Sequence, residues 1–587
     1  MKKIINVKAR LIMPAIVFMA VLSGCTNDFE EINRDVAETE LENVEPNFFI
    51  APVISRGPMG DLQNVFNVQF SLLDMWVQYF ANYNRTSGTS APGNATAWWN
   101  KSVGDIENLN RAIAAIKERE EVTNDEQIAR IMKVYIFQRL VGVHGPIPYF
   151  EMADLTGNNP NYDDEEVIYQ DMLKELEEAA AALSEDLPIM IPEQDRLFRS
   201  DVEKWQKFAQ SLRLKIAMRL SEVNPELARS HAEAAITAGV IESATDNGLI
   251  ELGSQFGWGS QNGYHTYQFG WGAPINMSRS FENILVGLGG IDFPDPPEPG
   301  EGEDPIVYIV DDPGVAIDGK ESSLDPKRNL FRSGVPSKVD PRGPLYFGNF
   351  GFAQDEATLD NGEVVNVDNQ WVGNPAGLNT VDLGKEEYNT FYYASLGNNY
   401  SKQDRPYEVV KYHEVLFLRA EMALKGWDAK GDAKFFYEEG IRQSMLWHEV
   451  DETLIDTYIN SNDLNTYGLS VNYDFDSGQT LPNGLPADSK LAKIITQKYI
   501  GCFPDFSWEA FADFRKTSYP FLIPLADPEP SIYSLGDLQA ANPDAYPKRV
   551  RYPNVEAVNN AEKYNQGVEF LGGSELENVP LYYDPNK

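Results

Sequence analysis

Apolar residues recur at three- and four-residue intervals over two long blocks of the chain and lose that period between them. Val65, Val68, Leu72, Leu73, Trp76 and Phe80 mark the first helical face, which small and polar residues break at Asn82-Tyr83-Asn84-Arg85-Thr86-Ser87-Gly88. Ile106, Leu109, Ala112, Ile113 and Ile116 predict a second helix over 103–118. Thr123-Asn124-Asp125-Glu126 and Ser200-Asp201-Val202-Glu203 fit the capping box, in which a hydroxyl and a glutamate each satisfy an orphan amide at a helix start. The first predicts a helix over 128–141, the second one with Trp205, Phe208, Ala209, Leu212 and Ile216 on a single face. Another is predicted over 167–183, behind the acids Asp163-Asp164-Glu165-Glu166, and Asn224-Pro225 begins one that Gly239 closes. Helix, short turn, helix through residue 240 implies antiparallel pairs.

Over 241–403 the period disappears and glycine, proline, asparagine and aromatics dominate. A helix over 279–288 and short strands over 306–310 and 363–367 are the regular elements predicted there, and the proline-rich acidic run 293–302 reads as an exposed loop. Helix returns at Pro406, with Val409, Tyr412, Leu416, Ala420 and Ala423 on one face, and Gly426 ends it. A partner follows over 432–447, where Phe436, Gly440 and Ser444 line up; Ala423 and Gly440 are small enough to let the two helices approach closely. This is a hairpin of tetratricopeptide size, although no strict repeat of about 34 residues is visible. A last pair over 490–500 and 506–515 precedes a proline-rich tail. The predicted fold is mainly α, a single domain over 47–587. Its helical parts are 47–240 and 404–520, its irregular part is 241–403, and its tail is 521–587.

The N-terminus changes the picture of where such a domain resides. A basic head (Lys2, Lys3, Lys8, Arg10) precedes an apolar run from Leu11 to Leu22, then Ser23-Gly24-Cys25. That order predicts a signal peptide over 1–24 with Cys25 as the first mature residue, where its thiol takes a lipid. The run is too short for the ~20 residues of a membrane span. Residues 25–46, polar and acidic, read as a tether. With 42% hydrophobic residues in a chain of 587, the remainder buries a large core. The formal net charge of −40 becomes −44 once the four cations of residues 1–24 are removed, which argues against nucleic acid and leaves the lipid as the only membrane signal. Cys502 is then the one remaining cysteine, and its aromatic surroundings predict a buried, inert thiol.

Candidate chemistry is concentrated in the irregular part. Within 256–272, Trp258, Tyr264, Tyr267 and Trp271 are interleaved with Gln261, Asn262, His265, Gln268 and several glycines. Aromatic faces stack on sugar rings or on peptide side chains while amides supply directional hydrogen bonds. The same residues fit a glycine-rich turn whose aromatics plug the end of the helical stack, and both readings stand on sequence alone. His144, His231, His265, His413 and His448 have no metal-ligand spacing, and no nucleophile elbow or phosphate-binding loop is present. The reading therefore assigns no catalytic residue, no metal and no cofactor. A surface-anchored glycoside hydrolase whose carboxylates converge through folding is the rival reading.

The lipobox followed by Phe29-Glu30-Glu31-Ile32-Asn33, the turn Gly145-Pro146-Ile147-Pro148-Tyr149, and Glu414-Val415-Leu416-Phe417-Leu418-Arg419-Ala420-Glu421 together resemble the SusD/RagB-like outer-membrane lipoproteins of Bacteroidetes. So does Tyr546-Pro547-Lys548-Arg549-Val550-Arg551-Tyr552-Pro553, with Glu556 and Asn559-Asn560 after it. The resemblance implies tetratricopeptide-like helix pairs supporting a large irregular ligand-binding region. It also implies a lipid anchor in the outer membrane at the cell surface and a SusC-like TonB-dependent transporter as partner. The implied ligand is an oligosaccharide, with oligopeptide as the alternative. By position in the family, Arg85, Trp98 and Asn100 become ligand candidates; Trp371 and the run from Phe391 to Tyr400 are weaker ones. Arg419 and Glu421, on a buried helix, are expected to pair with structural partners.

Overall fold

The computed structural model describes residues 44–57, 65–81, 92–154, 159–256, 261–296, 308, 310, 334–348, 356–367, 370–376, 384–524 and 546–585. The predicted signal peptide, Cys25 and the tether up to residue 43 lie outside the described residues, as do Arg85, Trp258 and most of the strand predicted over 306–310.

The scaffold helices are α1 (Asn47–Arg56), α2 (Pro92–Glu118), α3 (Asn124–His144), α4 (Glu165–Ala182), α5 (Val202–Arg219) and α6 (Pro225–Ala238). After the irregular region come α7 (Tyr412–Leu424), α8 (Ala433–Trp447), α9 (Lys490–Gly501) and α10 (Ser507–Thr517), and α11 (Ala561–Phe570) lies in the tail. Neighbours in sequence pack as pairs, α3 on α4, α5 on α6 and α7 on α8, while α4 also meets α5 and α7 meets α9. The result is the mainly α stack of helix pairs that the periodicity predicts. Gly440 permits the α7–α8 approach, because a Cβ there would lie 2.8 Å from the Phe417 ring.

Short strands tie the irregular region to this stack: β1 (Phe80–Ala81), β2 (Gly248–Ile250), β3 (Asn276–Met277), β4 (Phe347–Gly348), β5 (Glu356–Thr358), β6 (Val364–Asn366), β7 (Ser395–Leu396) and β8 (Tyr407–Val410). One antiparallel sheet runs in the order β1-β3-β7-β4, and β5 pairs with β6 where a strand is predicted.

Several local expectations are corrected. Residues 407–410 are not the start of a helix; they form β8, buried on both faces and paired with β2. A short apolar run buried on both sides has no period by which to tell strand from helix. The face predicted from Val65 to Phe80 divides into a π-helical segment Val65–Leu73, one α-turn Asp74–Trp76 and β1, with Gln78 in a left-handed conformation at the break. Neither capping box forms as such. The start of α5 is capped by Asp201, whose carboxylate accepts from the Lys204 amide at 3.0 Å, while the Ser200 hydroxyl donates to the Met190 carbonyl. At the start of α3 the Thr123 side chain makes no cap, and Asn124 and Asp125 instead hold the segment 184–190 through the Ser184 and Leu187 carbonyls and the Met190 amide. The caps of α4 by Asp164 and of α6 by Asn224 form at sites the sequence marks.

Charge is buried between the helices. Lys215 on α5 lies 2.8 Å from Glu414 of α7 and 3.6 Å from Glu509 of α10, and Arg219, one turn further, reaches Glu509 at 2.7 Å. Burial opposes the charge on Glu509, but Lys215 and Arg219 overcome it and hold the carboxyl down at about 2; burial pushes Glu414 up. Lys516 of α10 pairs with Glu421 of α7 at 2.7 Å, and Lys498 of α9 with Asp513 of α10 at 2.8 Å. Arg419 lies over the Phe436 ring and donates to the Ala429 carbonyl, so it and Glu421 have the structural roles expected of them. Cys502 is buried, and burial pushes its thiol up to about 12.

The C-terminal carbonyls of α3 are closed by cations from far along the chain. Arg515 donates to the Gly142 carbonyl at 2.7 Å, Arg549 to the His144 carbonyl at 2.7 and 3.0 Å, and the Val550 amide to the Val143 carbonyl at 2.7 Å. Positive charge at a helix C-terminus is favoured by the macrodipole. This docking explains the Tyr546–Pro553 run. Arg549→Met leaves the His144 and Glu575 carbonyls without these donors and is expected to lower the unfolding free energy by roughly 3 kcal/mol in a denaturant titration; a loss under ~1 kcal/mol contradicts the account.

His144 donates through Nδ1 to the Val550 carbonyl at 3.0 Å, and burial, with Arg549 nearby, lowers its pKa to about 3. An unfolded histidine titrates near 6.5, so below that pH the unfolded chain takes the proton first and stability falls as pH drops towards 3. From pH 7 to pH 5 the His144 share is about 2 kcal/mol. A His144→Gln variant is expected to show a pH–stability profile flatter by that amount, read from guanidinium midpoints.

Candidate functional site

The aromatic stretch of the sequence becomes a turn with two faces. Asn262 caps the short helix Gly263–His265 by accepting from the Tyr264 amide at 3.1 Å, and the chain continues as a π-helical turn, Thr266–Gly270. Tyr264 and Tyr267 point into the core. The Tyr264 hydroxyl donates to Asp74 at 2.9 Å and accepts from Gln69 at 3.1 Å, and the Tyr267 ring meets Phe70 edge-on at 4.8 Å. Phe269 and Trp271 face outward, 47% and 60% exposed. Trp271 leans on Tyr267, with ring centroids 5.6 Å apart, and Phe269 on His265 at 5.3 Å.

Polar side chains of the turn are used to fasten it. Asn262 donates to the Tyr400 and Lys402 carbonyls at 2.7 and 2.9 Å, and its backbone amide to the Gln403 carbonyl at 3.0 Å. His265 Nδ1 donates to the Ser401 carbonyl at 2.9 Å and Gln268 to the Leu396 carbonyl at 3.0 Å. The turn is thus held along the backbone of 396–403, and on that same stretch Asn398 and Asn399 are exposed. The surface so formed combines fixed aromatic rings with exposed amides, the combination suited to a polyhydroxyl ligand.

Most other candidates are core residues here. Trp98 stacks on His144 at 5.5 Å and tilts on Trp508 at 5.0 Å; Trp371 donates its indole N–H to the Phe347 carbonyl at 2.9 Å and covers Gly343. Of the run from Phe391, the Phe391 ring is exposed while Tyr392, Tyr393 and Tyr400 are buried. Asn100 is exposed on α2. The expectation of ligand contact is therefore corrected for Trp98, Tyr264, Tyr267 and Trp371, whose rings are closed off by packing. Burying a large aromatic contributes more than most polar contacts offer in return, so the core takes these rings. Phe269 belongs to the exposed set and escaped selection from sequence. A π-turn alters the angle per residue, so no period separates inward from outward rings over this stretch.

Among the described residues no helix is long and apolar enough to cross a membrane. Residues 38–289 match a family model described as starch-binding, associating with the outer membrane, and residues 340–584 match one described as SusD and RagB outer-membrane lipoprotein. No protein of curated function matches the chain. A SusD homologue from Parabacteroides distasonis is 28% identical, with a TM-score of 0.75 over 92% of this chain and 98% of its own. A chitin-binding SusD homologue from Flavobacterium johnsoniae, 21% identical, shares the fold with a TM-score of 0.65 over 94% of this chain and 99% of its own. A SusD-like protein from Bacteroides thetaiotaomicron does so at 22% identity and a TM-score of 0.64 over 93% and 98%. With helix pairs at both ends, an irregular region fastened to them, and family matches across each half, the chain belongs to the SusD/RagB-like family of outer-membrane lipoproteins.

Proposed function

We propose that this protein captures a neutral oligosaccharide at the cell surface and passes it to a SusC-like TonB-dependent transporter, with the lipid on Cys25 as its anchor. The observation that carries the reading is the exposed pair Phe269 and Trp271 on a turn whose own amides are committed to the backbone beneath it. Rings held in place stack on a sugar's C–H face without losing further side-chain freedom on binding. A starch-binding description for the model matched by residues 38–289 and a chitin-binding relative of the same fold favour saccharide over peptide. The net charge of −40 disfavours acidic glycans.

Calorimetric titration with maltohexaose, chitohexaose, an oligogalacturonide and a mixed peptide panel tests the ligand class. Binding of a neutral hexasaccharide is expected, weakened about tenfold by Trp271→Ala. Binding of peptides alone overturns the saccharide reading. Cys25→Ala is expected to move the protein out of the membrane fraction while the soluble variant keeps wild-type affinity, as a tether that only localises requires.

A further inference from the structure

A cavity of about 400 Å³ opens between residues 399–408 and the C-terminal end of α8, lined by neither Phe269 nor Trp271. Its floor is rigid. Arg405 donates to Asp505 at 2.6 Å, and the Trp447 indole N–H donates to Glu408 at 2.9 Å. Tyr400 and His448 Nδ1 are 2.9 Å apart, and His448 Nε2 lies 3.0 Å from the Gly501 carbonyl, which only accepts. The proton is therefore on Nε2, Nδ1 is the acceptor, and the Tyr400 hydroxyl donates. The rim differs in kind. Asn399, Lys402, Asp404 and Glu449 are exposed, and their side chains make no hydrogen bond or ion pair among the described residues.

We infer that this cleft is a second saccharide subsite, separate from Phe269 and Trp271, taking one or two rings of a neutral sugar. The ligand class rests on the saccharide reading above; the place does not. The volume lies at the small end of ligand pockets, about 300–1,000 Å³. Each sugar hydroxyl both donates and accepts. Asp404 and Glu449 supply acceptors, Lys402 a donor and Asn399 both, around the wall that Trp447 and Tyr400 provide. Floor charges are matched, Arg405 with Asp505 and Glu408 with Lys411, so no net field awaits an ion there. The rim sets one cation against two carboxylates, which turns away uronic acids and sulfated sugars.

The test titrates maltohexaose and chitohexaose into wild type, Trp271→Ala, the double variant Asp404→Ala/Glu449→Ala, and the triple variant, with galacturonate hexamer as the anionic control. Both cleft residues are exposed and unpaired, so unchanged thermal midpoints are expected. The double variant is expected to weaken hexasaccharide binding about tenfold and the triple about a hundredfold, the product of independent sites. Asn399→Trp, which fills the mouth without removing a charge, is expected to give the same loss as the double variant. Wild-type affinity in both cleft variants overturns the subsite and leaves the proposed function standing. A triple variant no weaker than either parent overturns its separateness, and a wild type that binds neither neutral hexamer overturns both readings.

Discussion

Two cations one helical turn apart, Lys215 and Arg219, hold the carboxylates of Glu414 and Glu509 in the interior where α5, α7 and α10 meet. An ion pair out of water contributes little net stability, since desolvation offsets most of the Coulomb gain. Its consequence is registry. Any slide of one helix past another separates charges that have no water to turn to, and a single buried charge without its partner costs about 3–5 kcal/mol. The further pairs Lys516–Glu421 and Lys498–Asp513 extend the same constraint to α9 and along α10. Helices about 200 to 300 residues apart in sequence thus have one admissible alignment.

That fixed stack is what allows the middle of the chain to remain irregular. Short strands and side-chain amides, not long helices, carry residues 261–296 and 384–406; Asn262 and Gln268 fasten the two segments to each other, and the Tyr264–Asp74 and Arg405–Asp505 bonds fasten them to the helical parts. Asn262, His265 and Gln268 bond to carbonyls of the neighbouring loop, so Phe269 and Trp271 stand out on a support rather than on a free strand. The tail works in the same way at the other end. Arg549 and Val550 reach back to the end of α3, so a segment without its own core becomes a cap for a helix begun about 400 residues earlier.

Amphipathic period in the sequence was enough to predict the helix pairs, and residues such as Asn224, Gly426 and Gly440 behave as their chemistry requires. Where period fails, prediction failed with it: β8 reads as helix because a run buried on both faces has no polar side. The paired acids and hydroxyls at Thr123 and Ser200 resemble caps, yet their neighbours Asn124, Asp125 and Asp201 form the bonds, since each terminus has several polar side chains in competition and local geometry selects among them.

By itself, the sequence determined the class: a mainly α scaffold, an aromatic-rich insertion and a strongly acidic composition. It also marked the stretch 256–272, on which the exposed rings Phe269 and Trp271 lie. Only the tertiary structure decided which rings of that stretch are core and which are surface. Exposure depends on what the rest of the chain brings alongside, here Phe70 and Asp74 beneath Tyr267 and Tyr264, while Trp271 keeps 60% of its surface open. Of the cleft, the sequence marks only Asn399 and Tyr400, at the end of the run from Phe391, because its two walls are joined by α7 and α8 and come together only when those helices fold back on each other.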